Sequence, residues 1–191
     1  MAIPPPVRSV LPIAELWVAS ASRLLASRDP RDAALRDAAL RVNFAFAALE
    51  PPARAEHAAW IRASFERIAK LLRSANLFRA TPAAEARRIF GAAIPPAYSY
   101  GGGKVHVTDA FARFGPKCRA AMLVHETVHV FDERSGTPEV HVSEWDPHFD
   151  EMTPDEQLHN PSAYASFAAQ VHHGALAWPR SERFGAGRPN D

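Results

Sequence analysis

The chain has 191 residues, a size that builds one hydrophobic core and leaves little room for a second. With 22 Lys and Arg against 21 Asp and Glu its formal net charge is +1, and no basic run is long enough to track a phosphate backbone, so nucleic acid is not an expected partner. The single cysteine, Cys118, excludes an internal disulfide and any thiolate-rich centre; a metal in this chain has to be held by His and carboxylate.

Residues 1–12 are punctuated by prolines and read as an extended arm. Glu15 and the prolines interrupt the apolar N-terminal stretch, so no secretory signal is expected. No run approaches the roughly 20 apolar residues of a membrane span. The default is a cytoplasmic protein, with export as an effector lacking a classical signal as the alternative. From Ile13 to Ser27, Ile13, Leu16, Trp17, Leu24 and Leu25 recur at helical spacing. Asp29-Pro30 is a cap followed by a first-turn proline and opens a second helix up to Leu49. Pro51-Pro52 opens a third, to about Leu77, with Trp60, Ile61, Phe65, Ile68, Leu71 and Leu72 inward. Thr81-Pro82 begins a short fourth helix ending at Gly91.

The character changes at Pro95. Residues 97–100, Gly101-Gly-Gly103 and 104–108 read as strand, tight turn and strand, with His106 as a hydrogen-bonded or surface histidine in the second strand. Phe111 to about Glu133 reads as a buried helix that Gly136-Thr-Pro138 ends. After an acid- and His-rich stretch, Thr153-Pro-Asp-Glu156 caps a last helix through about Gly174, and the tail from Pro179 is expected to be loosely ordered. The expected organisation is one domain: a helical layer over 1–94, a catalytic part over 95–175 and a tail over 176–191.

The chemistry concentrates at His125-Glu-Thr-Val-His129. Residues four apart share a helix face, so His125 and His129 can offer two imidazole nitrogens to one metal ion, with Glu126 turned toward the open coordination position. Two histidines and a glutamate in an apolar helix are costly to bury unless a metal or hydrogen bonds satisfy them. A catalytic zinc takes three protein ligands and one water. The extended pattern with glycine and a third histidine fails, because Asp132 and Ser135 stand at those positions. Downstream, Glu139, His141, Glu144, Asp146, His148, Asp150 and Glu151 can each supply the third ligand, and periodicity does not choose among them.

The stretches HETVH, SEWDPHFD and LHNPSAYASFA together resemble the aspzincin or deuterolysin-like metallopeptidases, which include the lysine-specific metalloendopeptidases. The resemblance covers roughly residues 98–170. It implies a zincin-like fold, Zn2+ as cofactor and Asp146 as third ligand, with Phe149 at the position of a family tyrosine. It also places Asn160-Pro-Ser-Ala-Tyr164 on the following helix, where Tyr164 is the candidate to supply a transition-state hydroxyl. Glu144, two residues before Asp146, points the same way in an extended segment and stays as the alternative ligand.

The expectation is therefore a mainly helical α+β domain with a small sheet beside the HExxH helix. Its expected activity is that of a zinc metalloendopeptidase, with a peptide or protein substrate lying along the 104–108 strand and Glu126 as general base. The alternative, prompted by Phe149, is a catalytically weak or inactive zincin-like binding or effector module. Oligomeric state is not legible.

Overall fold

A computed structural model describes residues 2–99, 103–135 and 140–179, with side chains of 133–135 outside the description. The expected turn glycines 101 and 102, the helix stop at 136–138, Glu139 and the tail from residue 180 lie outside the described residues.

The molecule is mainly helical, with one small mixed sheet. Four N-terminal helices follow in order: α1 (Pro5–Arg8), α2 (Leu11–Ala26), α3 (Pro30–Phe44) and α4 (Pro51–Leu72). The expected arm is thus partly helical: Pro5 and Pro6 occupy the first turn of α1, where a missing N–H costs nothing, and Val7 and Val10 are buried. Asp29 caps α3 by accepting from the backbone N–H of Arg31, as its sequence predicts. That helix stops at Phe44 rather than Leu49 because Ala45 adopts a left-handed conformation, φ 50°. α4 turns Ile61, Phe65, Ile68 and Leu72 inward at three- and four-residue steps. Trp60 and Leu16, read as inward, are exposed instead; Trp60 rests edge-on against His159.

The third expected helix ends early, and residues 78–80 form a strand that the sequence pattern did not announce. β1 (Phe78–Ala80) is followed by α5 (Ala83–Phe90), β2 (Ala97–Ser99) and β3 (Val105–Val107). The expected hairpin is present, β2 pairing antiparallel with β3, and β1 pairs parallel with β3 on its other side. The sheet order β1-β3-β2 makes β3 the central strand. His106 is buried there, hydrogen-bonded to Thr81 (2.9 Å) and stacked on Tyr98.

A 3-10 turn over Asp109–Arg113 leads into α6 (Pro116–Ser135), which packs on the sheet with one face and on helices with the others. A second 3-10 turn, Pro147–Glu151, precedes α7 (Pro154–Leu158) and α8 (Pro161–His173). Thr153 and Glu156 form the capping box expected of them, but the helix they open is only α7. Asn160-Pro161 interrupts the predicted single helix and starts another. Every residue of α8 from Pro161 to Val171 is buried, enclosed by α2, α3 and α6. Phe44 and Phe65 meet Tyr164 and Phe167 there, with ring centroids 5.1 to 5.6 Å apart. Each such fully buried side chain stabilises the fold by about 1.5–3 kcal/mol. The apolar core runs without a break through both halves of the chain.

Candidate metal centre

His125 and His129 lie one turn apart on α6, and their Nε2 atoms stand 3.2 Å from each other. His141, on the segment returning from α6, stacks on His129 with ring centroids 4.4 Å apart. One ligand atom from each of the three histidines lies within 4.8 Å of the others, a cluster that can hold a metal ion. His129 is buried, His125 half-buried and His141 exposed, so the cluster opens toward solvent on the His141 side.

The electrostatics suit a cation. Burial, reinforced by His129 and His141, holds the His125 imidazole well below its ordinary pKa. Burial, then His141, pushes His129 down to about 3. Both rings are neutral near pH 7, the form in which imidazole ligates. Two nitrogens sharing a tetrahedral zinc at about 2.0–2.1 Å each stand about 3.3–3.4 Å apart, close to the observed spacing. The ring of His125 is oriented from behind: its Nδ1 lies 3.3 Å from Oγ of Ser162 on α8. If Nε2 ligates a metal, Nδ1 carries the hydrogen and donates a hydrogen bond to that hydroxyl.

Glu126 is half-buried beside His125. It lines a pocket of about 60 Å³ whose wall includes Cys118, Glu144 and Ser162. Cys118 stands two helical turns before His125 and is almost fully buried.

The remaining expected site residues are placed elsewhere. Asp146, anticipated as third ligand, is not part of the histidine cluster. Its Oδ1 accepts from the backbone N–H of His148 at 2.9 Å and lies 2.8 Å from His148 Nδ1, capping the 3-10 turn. Glu144, the alternative, is buried on the pocket wall and also stands outside the cluster. Tyr164 is not at the cluster. Two residues along a helix differ by about 200° in direction, so with Ser162 facing His125, Tyr164 faces the opposite way. Its hydroxyl donates to the Leu158 carbonyl at 2.8 Å and approaches Ser64 at 3.4 Å, and burial pushes its pKa up, keeping the phenol protonated. Phe149 is fully buried in the core.

The third histidine sits twelve residues beyond His129, in a segment without helical or strand periodicity. Beside it, Nδ2 of Asn160 donates to the carbonyl of Val142 at 2.9 Å. Asn160 also caps α8, its Oδ1 accepting from the backbone N–H of Ser162.

No family model, no curated protein and no solved structure matches the chain.

Proposed function

We propose that the protein is a zinc-dependent hydrolase acting on peptide bonds, with His125, His129 and His141 as zinc ligands and Glu126 as general base. One observation carries this reading: an HExxH helix whose two imidazoles are joined by a third from a distant segment. Three imidazole nitrogens and an exposed fourth side match the donor set of a catalytic zinc site better than that of a closed structural one. Zinc held there supplies Lewis acidity, lowering the pKa of a water and polarising a carbonyl.

The chain's own groups do the rest. Glu126 accepts the proton of the attacking water and returns it to the leaving amine. Ser162 keeps His125 in the Nδ1–H tautomer. The pocket of about 60 Å³ admits waters and not a peptide, so substrate approaches from the exposed His141 side. β3 is hydrogen-bonded on both sides and has no edge to offer; an extended substrate has to add along β2 instead, whose inner neighbour is β3 and against which α6 packs.

The test is elemental analysis followed by turnover. Untagged protein is expected to carry about one zinc per chain and to cleave denatured protein or model peptides. Zinc-loaded Glu126→Gln is expected to lose at least about 100-fold in rate; full activity in that variant would remove Glu126 from the mechanism. A second reading, a zinc-holding binding module with weak or no turnover, is favoured by the burial of both Phe149 and Tyr164, neither of which lends a hydroxyl to the cluster. Zinc at one per chain without cleavage of any of these substrates would select it.

A further inference from the structure

We infer that the first turn of α8, Asn160-Pro161-Ser162, is the clamp that assembles the metal centre: Asn160 fixes the segment carrying His141, and Ser162 fixes the ring of His125. The inference rests on the three-histidine zinc reading.

The three ligands come from two pieces of backbone. His125 and His129 are held by the hydrogen-bonded frame of α6, whereas His141 sits in a segment outside helix and strand. A tridentate site needs that segment at a fixed height above α6. Asn160 supplies the link. It is completely buried. Its Oδ1 accepts from the backbone N–H of Ser162 at 3.2 Å, which orients the amide so that Nδ2 faces the Val142 carbonyl. The same Nδ2 also lies 3.4 Å from Met152 Sδ and 3.5 Å from Gln157 Oε1. Gln157 in turn donates to the carbonyl of Phe149 at 2.6 Å, so the far end of the 140–151 stretch is held by the same corner.

Ser162, two residues on, is buried and meets His125. Pro161 sets the backbone between these two side chains at the first helical position, where proline is pre-organised. One helix start therefore grips ligands from both pieces of backbone. Partners of this kind are positioning residues, and their loss typically weakens metal affinity by about 10–100-fold.

Asn160→Asp separates this role from capping, because aspartate keeps the cap acceptor and removes the Nδ2 donor that faces Val142, Met152 and Gln157. The experiment is chelator competition for zinc and cobalt(II) absorption on the full-length chain, for wild type, Asn160→Asp, His141→Ala, the double variant and Ser162→Ala, with helix content followed by circular dichroism. Asn160→Asp is expected to keep its helix content, lose about 10–100-fold in zinc affinity and show a cobalt spectrum shifted toward that of His141→Ala. The double variant is expected to bind no more weakly than His141→Ala alone, since the clamp acts through that ligand. Ser162→Ala is expected to lose at least about 10-fold and serves as the second probe should Asn160→Asp fail to fold. Unchanged affinity in both folded variants, or additive losses in the double variant, would overturn the clamp while leaving the zinc centre standing. A wild-type chain that binds no zinc would overturn both.

Discussion

Nε2 of His129 faces Nε2 of His125 across 3.2 Å, on adjacent turns of one helix and with His141 stacked on His129. At that distance two neutral imidazoles share either a proton or a cation. The ligand set follows from this arrangement. His141→Ala is expected to lower zinc affinity sharply, whereas Asp146→Ala and Glu144→Ala are expected to retain about one zinc per chain. Elemental analysis after dialysis against a weak chelator checks it, and loss of zinc in Asp146→Ala would return the third position to that carboxylate.

Tyr164 has a role in stability. Replacing it by phenylalanine removes the hydrogen bond to the Leu158 carbonyl and the longer one to Ser64. Tyr164→Phe is expected to lose about 1–2 kcal/mol of stability with zinc affinity and turnover unaltered. Urea denaturation read beside a peptide-cleavage assay makes the comparison; a drop in turnover at equal zinc loading would restore the catalytic role.

Phe149 stands where the resemblance puts a tyrosine, but its ring is enclosed by the core. Phe149→Tyr therefore buries a hydroxyl rather than delivering one to the metal. The expected cost is about 1–3 kcal/mol, with no gain in turnover. A variant that is both stable and faster would show that the hydroxyl reaches the cluster.

Acid is expected to act through the buried imidazoles. His125 and His129 have folded pKa values below the ordinary 6.5, His129 near 3. As pH falls below about 6.5 the unfolded chain takes up these protons before the folded one does. Their contribution to metal-free stability is then level above that pH and declines beneath it, by up to about 1.4 kcal/mol per pH unit for each such histidine. Urea midpoints of the metal-free protein from pH 8 to pH 5 measure the slope, and a flat profile across pH 6.5–5 would contradict it.

Local chemistry made the helix starts legible. Asp29-Pro30, Pro51-Pro52 and the Thr153–Glu156 capping box all mark helix beginnings, because caps and first-turn prolines act within four residues of themselves. β1 was not legible: three residues carry too little periodicity, and what makes them a strand is β3, some 27 positions away. The metal centre divided the same way. His125 and His129 follow from helix geometry alone, whereas His141 joins them from a stretch outside helix and strand, which no local pattern announces. Asp146 carried the resemblance and Glu144 the alternation of an extended segment; the structure has Asp146 capping a 3-10 turn and Glu144 on the pocket wall.

Cys118 gives the protein a built-in reporter. It is the chain's one thiol, and it lies on the wall of the pocket shared with His125 and Glu126. Any maleimide or iodoacetamide label therefore goes to a single address, two helical turns from the first histidine. Since that sulfur is almost wholly covered, the rate at which it is alkylated measures how often the pocket opens, with no engineered cysteine and no background to subtract.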